Sequence, residues 1–255
     1  MKQITLWIPA HDSPCWEVII PLWNMEAPKD TKIRLYRSPA NNVKYSWNRA
    51  VQDFLKTKDE WILSVHNDVV VDPQTLKRLL SWRKPLVSAL IFMRIGPALP
   101  HIWKSYPDGD GRMVQRIEDT REWFYAHPEW IRLGAFVMKP KPKDALTPID
   151  FTSTSCTLIH RDVLKAMRPL VNDVWFQCDD DYAGGGEDRR FFQYAKEAGY
   201  EAFVDRSCVV GHLSRTAPAS SMDFIAWDSA STFMNTGEPE KEQNDSLPIG
   251  VAKSL

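Results

Sequence analysis

The sequence predicts an α/β protein in which a mostly parallel central sheet is flanked by helices. Short apolar runs typical of buried strands alternate with segments of helical spacing, and polar turns follow several of these runs. The chain has 255 residues, of which 44% are hydrophobic, so it is long enough for one large core. We therefore expect one domain over residues 1–234, with halves at 1–93 and 94–234. A polar, aperiodic segment then predicts a flexible tail over residues 235–255.

The first half begins with a predicted strand over Ile4–Ile8, which ends at Pro9, and a second short strand is predicted over Ile33–Tyr36. A helix is predicted over residues 46–56, with Ser46 as its cap, because apolar residues recur at helical spacing there. These residues are Trp47, Ala50, Val51, Phe54 and Leu55. Such spacing places one apolar face of the helix against a sheet.

The next strand is predicted over Trp61–Val65 and is followed by a polar turn. An apolar run over Val69–Val71 precedes a helix that opens at Asp72 and runs to about Trp82, and Leu86–Met93 is predicted to be a further buried strand. This alternation favours a parallel sheet covered by helices. In such sheets, ligands bind at the carboxyl ends of the strands.

The second half is less regular, because several prolines interrupt residues 94–150, and a long segment of this kind is often a binding wall or lid. One short helix is expected within it. Regular structure is predicted to resume after residue 150. The predicted elements are a helix at Asp119–Tyr125, a strand at Thr157–Ile159, helices at Asp162–Met167 and Glu187–Ala198, and strands at Ala202–Val204 and Cys208–Val210.

The charge balance and apolar pattern argue against some classes of partner. Lys and Arg total 32 against 33 for Asp and Glu, so no overall charge attracts nucleic acid or an anionic membrane. The N-terminus lacks the apolar core of a signal peptide, and no apolar run is long enough to cross a bilayer. The four cysteines are scattered without a C-x-x-C pair, which is typical of free thiols. We expect a cytoplasmic protein that neither binds nucleic acid nor inserts into a membrane.

Three groups of polar residues follow predicted strands or open a predicted helix. His66, Asn67 and Asp68 end one strand, where a carboxylate suits a divalent cation beside a diphosphate, although a lone Asp there is also a common turn residue. Glu187 and Asp188 follow a glycine run at a helix start. These two carboxylates either cap the helix or include a general base.

The third group is a histidine at the end of the last predicted strand. His212 follows Gly211 and is either a metal ligand or a histidine without a chemical role. The acidic run Asp179–Asp181 is a rival metal-binding segment, but it lies beside the glycine run, where a solvated acidic turn or an acceptor contact is the better interpretation.

Together, these groups resemble the motifs of the GT-A glycosyltransferases, especially the family 2-like members. In that family a strand ends in a D-x-D triplet, a later G-E-D segment opens a helix, and a terminal G-H supplies another metal ligand. The matching stretches here are residues 64–73, 186–192 and 209–212, in the same order. The resemblance extends over about residues 4–215.

The resemblance implies a GT-A fold with a nucleotide-binding half (1–93) and an acceptor half (94–234). It implies transfer of a sugar, such as a hexose, from a UDP- or GDP-sugar to a hydroxyl of a sugar, glycan or small molecule, with Mn2+ or Mg2+ as cofactor. Asp68 and His212 would be the metal ligands, and Asp188 or Glu187 the catalytic carboxylate. The implied donor-binding residues are Pro9, Ala10, His11, Asp12, Asn48, Arg49, His66, Asn67 and Asp68.

One departure from the family pattern is His66, which stands where the family usually has its first aspartate. Its imidazole lacks a fixed negative charge, but it can bind a ribose hydroxyl or the metal. Two other functions therefore stay open. One is sugar-nucleotide binding without transfer, and the other is nucleotidyl transfer. The second is disfavoured because no glycine-rich, lysine-bearing phosphate loop lies near the first strand.

Overall fold

Twelve strands and six α-helices make up the described part of the chain. A computed structural model describes residues 2–10, 16–39, 43–93, 99–108, 113–118, 120–127, 142–177 and 186–213. The strands are β1 (Lys2–Ala10), β2 (Thr31–Pro39), β3 (Trp61–Val65), β4 (Val69–Val70), β5 (Leu86–Leu90), β6 (Ile102–Pro107), β7 (Met113–Ile117), β8 (Leu146–Ile149), β9 (Phe151–Thr152), β10 (Cys156–His160), β11 (Ala202–Val209) and β12 (Gly211–His212). The helices are α1 (Trp16–Trp23), α2 (Val43–Lys56), α3 (Thr75–Ser81), α4 (Arg121–Ala126), α5 (Arg161–Val171) and α6 (Glu187–Glu197).

The central sheet has seven strands in the order β2-β1-β3-β10-β5-β11-β8. β1 is parallel to both β2 and β3, and β11 is parallel to β5. β10 is antiparallel to β3 and β5, and β8 is antiparallel to β11. The predicted α/β class with a mostly parallel sheet and flanking helices is therefore confirmed. The carboxyl ends of β1, β3, β5 and β11 meet at one edge, where β10 begins.

Two small sheets extend this edge. β12 pairs with β4, so that His212 lies opposite Val69. β6 lies between β7 and β9 in a three-stranded antiparallel sheet. The first pairing returns the chain after β11 to the segment that follows β3. The second places β9 just before the chain enters β10.

The buried side chains form one cluster on each face of the central sheet. Because alternate residues of a strand point to opposite faces, β1 sends Trp7 to one cluster and Leu6 to the other. The cluster around Trp7 is covered by α2, α5 and α6, whereas α1 and α3 cover the opposite face. The apolar face predicted for residues 46–56 is buried in the first cluster.

Several predicted elements have different bounds in the structure. α2 begins at Val43, so Ser46 lies inside the helix rather than at its cap, and α3 begins at Thr75 rather than at Asp72. The strand predicted over Leu86–Met93 ends at Leu90, and its continuation forms a single bridge from Phe92 to Pro100. The two strands predicted within residues 202–210 are one strand, β11, with a register shift between Asp205 and Val209.

The C-terminal end of α2 is bound by a guanidinium group from the start of α5. Arg161 donates hydrogen bonds to the carbonyl oxygens of Phe54, Leu55 and Thr57 at 2.8–3.1 Å, and to that of Asp59 at 2.7 Å. The last carbonyls of a helix lack partners within the helix, so this cation satisfies them. Arg161 thereby joins α2, the loop before β3 and α5.

No helix in the described ranges is both long enough and apolar enough to span a bilayer. The predicted tail over residues 235–255 lies outside those ranges, as does the end of the predicted domain after residue 213.

Candidate functional site

The sheet edge formed by the carboxyl ends of β3, β5 and β11 carries the candidate site. The β3–β4 turn (residues 66–68) follows β3, Phe92 follows β5, and His212 follows β11. The β9–β10 turn (residues 153–155) reaches the same edge because β10 runs in the opposite direction. Parallel sheets place ligands at this edge.

Asp68 and His212 lie side by side. The Nε2 atom of His212 is 3.6 Å from Oδ2 of Asp68, and the backbone amide of Leu213 donates to the carbonyl of Asp68 at 2.8 Å. The Nδ1 atom of His212 is 2.9 Å from the carbonyl oxygen of Phe92. Because a carbonyl only accepts, Nδ1 carries a proton in this contact, and Nε2 of the neutral ring keeps a lone pair. The two predicted metal ligands are therefore adjacent.

The atoms of this pair suit a hard divalent cation. A histidine that binds metal commonly donates its other ring N–H to a carbonyl, as His212 does to Phe92. Carboxylate and imidazole are both ligand types that Mn2+ accepts. Within the described part of the chain, no group of three or more His, Cys, Asp or Glu side chains is arranged around a metal position. A cation held by this pair would need further oxygen ligands to complete its shell.

His66 is held by the β9–β10 turn. Its amide donates to the carbonyl of Ser155 at 2.9 Å, and its Nδ1 lies 3.3 Å from the hydroxyl of Ser155. Its ring also lies 6.4 Å from the ring centroids of Trp7 and Trp47. Asn67 is partly exposed in the same turn. The imidazole of His66 is therefore positioned by the β9–β10 turn and by aromatic rings of β1 and α2.

Asp188 lies in the first turn of α6 and binds a different segment rather than capping its own helix. Its Oδ1 accepts a hydrogen bond from the backbone amide of Thr154 at 3.2 Å and another from the hydroxyl of Thr154. Burial raises the pKa of Asp188 to about 7, the negative charge of Glu187 adds to this rise, and the hydrogen bonds from Thr154 and Ser153 oppose it. A carboxyl group with this pKa can exchange protons near neutral pH.

A buried network of hydroxyl groups holds the β9–β10 turn in place. Ser64 of β3 donates to the carbonyl of Thr154, and Thr157 lies within hydrogen-bonding distance of Ser88 at 2.8 Å. Thr157 also donates to the carbonyl of Ser153 at 3.3 Å. The Ser and Thr residues within 152–157 are the sequence signal for these contacts, because such residues satisfy buried backbone groups.

Comparison with known proteins identifies the fold that carries this site. Neither a protein family model nor a curated protein sequence matches the chain. Among solved structures, GalNAc-T7 with UDP, GalNAc and Mn2+ is similar with a TM-score of 0.52 and 12% identity, over 84% of this chain and 44% of that chain. The protein has a GT-A fold. The predicted fold is thereby confirmed.

Two further solved structures are similar to this GT-A chain at lower scores. A197 from STIV has a TM-score of 0.49 and 14% identity, over 84% of this chain and 86% of that chain. TarS from S. aureus has a TM-score of 0.43 and 14% identity, over 86% of this chain and 36% of that chain. The chain spans less than half the length of GalNAc-T7 and TarS.

Two predicted donor-binding residues on α2 of the GT-A fold have other described partners. The side-chain amide of Asn48 donates to the carbonyl of Phe176 at 2.9 Å and accepts from the amide of Phe176 at 3.0 Å. Arg49 is 64% exposed and donates to Asp53 at 2.9 Å. Asn48 thus fixes the backbone at Phe176 against α2. A role in donor binding stays a prediction for both residues.

Other predicted residues of the GT-A site lie at or beyond the limits of the described chain. The backbones of Pro9 and Ala10 end β1 and pair with β2. His11, Asp12 and the rival acidic run Asp179–Asp181 lie outside the described residues. Glu187 is the first residue of α6, next to Asp188.

A row of contacting aromatic rings connects three elements of the GT-A fold next to the site. Trp7 of β1 contacts Trp47 of α2, with ring centroids 4.0 Å apart. Trp47 stacks on Phe176 at 4.3 Å, and Phe176 stacks on Phe191 of α6 at 4.7 Å. All four rings are buried. This row of rings therefore joins the neighbours of His66 to the helix that carries Asp188.

Proposed function

We propose that this protein is a metal-dependent glycosyltransferase, which moves a sugar from a nucleoside diphosphate donor to an acceptor hydroxyl. The observation that carries the proposal is the approach of His212 to Asp68, at 3.6 Å, at the ligand edge of a GT-A fold. A carboxyl group with a pKa of about 7, that of Asp188, is anchored to the same edge.

Asp68 and His212 would hold Mn2+ or Mg2+ through one carboxylate oxygen and one imidazole nitrogen. The bound cation would offset the negative charge of the leaving diphosphate. A bound nucleotide would complete the shell of this cation, because its phosphates supply further oxygens. The Mn2+ and UDP named with the structure of GalNAc-T7 support this assignment.

Asp188 would act as the general base, with Glu187 as its charged neighbour. The proton of the acceptor hydroxyl passes to the Asp188 carboxylate, and the acceptor oxygen forms a bond to the anomeric carbon. The bond from that carbon to the diphosphate oxygen breaks, and its electron pair leaves with the diphosphate. This in-line displacement inverts the anomeric centre. A pKa near 7 leaves much of Asp188 ionised at neutral pH.

The proposed donor is a UDP- or GDP-sugar, and the proposed acceptor is a sugar, a glycan or a small molecule with a free hydroxyl. His66 and Asn67 would contact the donor from the β3–β4 turn. The loop after β1, which carries His11 and Asp12, would face the nucleotide together with Pro9 and Ala10. Asn48 and Arg49 of α2 complete the proposed donor-side set.

The test is release of nucleoside diphosphate from a panel of UDP- and GDP-sugars in the presence of Mn2+, with candidate acceptors. We expect release to fall at least about 100-fold in Asp68→Asn and in Asp188→Asn. Asp162→Asn is the matched control, because Asp162 is the second residue of α5 as Asp188 is of α6, and it is 61% exposed. This control should retain wild-type activity.

Other results would assign the site to the two alternatives. Binding of a sugar nucleotide without release of UDP or GDP would indicate a binding protein, an outcome favoured by the histidine at position 66. Production of pyrophosphate from a nucleoside triphosphate and a sugar phosphate would indicate a nucleotidyltransferase. Release that persists unchanged in Asp68→Asn would contradict the proposed metal site.

A further inference from the structure

The β9–β10 turn lies between His66 of the β3–β4 turn and Asp188 of α6. Thr154 is fully buried and Ser155 nearly so, although neither belongs to a regular element. On one side, the carbonyl of Ser155 accepts from the amide of His66 at 2.9 Å. On the other side, Thr154 binds Asp188. The turn is therefore the structural link between the β3–β4 turn and α6.

The contact with Asp188 is specific to one carboxylate oxygen. The backbone amide of Thr154 donates to Oδ1 at 3.2 Å, and the hydroxyl of Thr154 donates to the same atom. Two donors from one residue fix both the position and the rotation of the carboxyl group. The backbone of Thr154 is itself fixed, because Ser64 of β3 donates to its carbonyl.

We propose that Thr154 is a positioning residue for Asp188, which holds Oδ1 and thereby orients the carboxyl group to take the proton of the acceptor hydroxyl. This inference rests on the proposed function. An uncharged residue, Thr154, would thus orient the base and stabilise its charged form. The side chain of Thr154 need not touch the substrate to have this effect.

Electrostatics supports this role. Burial and the charge of Glu187, on the same helix, disfavour the charged form of Asp188, whereas the hydroxyls of Thr154 and Ser153 and the amide of Thr154 favour it. Near α6, Asp150 pairs with Lys196 of α6 itself, Arg168 of α5 with Asp173, and Asp205 of β11 with Arg78. The other charged residues of the packed elements are Arg161, Asp162 and Lys165 of α5 and Arg206 of β11. Loss of the Thr154 hydroxyl should therefore raise the pKa of Asp188.

The test compares Thr154→Val, which removes the hydroxyl, with Thr154→Ser, which keeps it. Thr147→Val is the matched control, because Thr147 is a buried threonine in β8 at the far edge of the sheet. The pKa of Asp188 is measured directly, by titrating its side-chain carboxyl signal in carbon-13 NMR spectra. We expect it to rise by about one pH unit in Thr154→Val and to stay at the wild-type value in the other two variants. If Thr154→Val does not fold, Thr154→Ala removes the same hydroxyl with a smaller side chain and should cause the same rise.

An unchanged pKa of Asp188 in Thr154→Val, or in Thr154→Ala where that variant is needed, would overturn the inference. The titration needs no substrate, so it separates this inference from the proposed function. Absence of transfer by the wild-type protein, with the titration result as expected, would refute only the function. With an active enzyme, the acidic limb of kcat against pH should move by the same amount in Thr154→Val and return in Thr154→Ser.

Discussion

The imidazole of His212 is oriented by a hydrogen bond from Nδ1 to the carbonyl of Phe92, and Nε2, the proposed ligand atom, faces Asp68. Asp68 and His212 both follow predicted strands in the sequence, and the resemblance to the GT-A motifs implies them as metal ligands. The partners of this pair were not predictable. Every residue has a backbone carbonyl, so the sequence does not indicate that the carbonyl of Phe92 binds His212.

The first prediction concerns metal affinity. His212→Ala should weaken Mn2+ binding in the presence of UDP by at least about 10-fold, because one of the proposed protein ligands is lost. Titration calorimetry or Mn2+ electron paramagnetic resonance measures the effect. His127→Ala is the control, since His127 bonds the carbonyl of Trp123 and lies 3.6 Å from Asp144. Equal affinities in the two variants would place the metal elsewhere.

The second prediction concerns the pH dependence of transfer. The base must be ionised, so kcat should rise with pH up to about 7, the pKa of Asp188, and then level off. Asp188→Asn should lower kcat by about 100-fold to 10,000-fold and remove the dependence. A steady-state series across this range measures both effects. A profile with the same acidic limb in Asp188→Asn would assign the limb to another group.

The third prediction concerns stability at the same residue. The folded-state pKa of Asp188 lies above the ordinary value of 3.8, so the folded protein retains a proton between the two values. This proton binding stabilises the folded protein relative to the unfolded protein at low pH, and the stabilisation is lost as the pH rises through about 7. Asp188→Asn stays neutral throughout. Urea unfolding should show this variant gaining about 1 to 3 kcal/mol over wild type between about pH 5 and about pH 8. A difference that is constant with pH would contradict the raised pKa.

Helices and strands with a strong apolar pattern were predicted well. α2 was recognised because its apolar face repeats at helical spacing, and β3 because it is a buried run. α1 was missed, since Pro21 lies inside it. β8 was missed for a related reason. It contains Pro148, which is tolerated because β8 is the edge strand of the sheet.

The fourth prediction concerns the link between α2 and α5. Arg161→Ala should lower the free energy of unfolding by about 1 to 3 kcal/mol, because several helix-terminal carbonyls lose their donor. Arg168→Ala is the control on the same helix. Its side chain is 60% exposed and pairs with Asp173, so we expect a change of about 0.5 kcal/mol or less. Urea unfolding of both variants measures the difference, and equal losses would show that the Arg161 contacts add little.

The order of strands in the whole molecule was beyond the reach of sequence patterns. Alternation of strands and helices predicted the class and a mostly parallel sheet. The placement of β10 between β3 and β5 depends on contacts between distant segments, for which local apolar spacing carries no information. The binding of Asp188 by Thr154 follows from that placement and was missed with it.

The fifth prediction concerns the extent of the domain. Deletion of residues 235–255 should change the melting temperature by about 2 °C or less, because a polar, aperiodic segment has little apolar surface to bury. Differential scanning calorimetry of the full and shortened chains measures it. A markedly lower melting temperature in the shortened chain would extend the domain into this segment and correct the predicted boundary at residue 234.

The reversed direction of β10 gives the ligand edge both polarities of the peptide group. The strand leaving the sheet at Phe92 presents an oxygen, which steers an imidazole, while the chain entering the sheet at Thr154 presents an N–H, which receives a carboxylate. Because β10 enters the sheet where β3 and β5 leave it, backbone groups of opposite polarity fix an imidazole and a carboxyl group at the same edge.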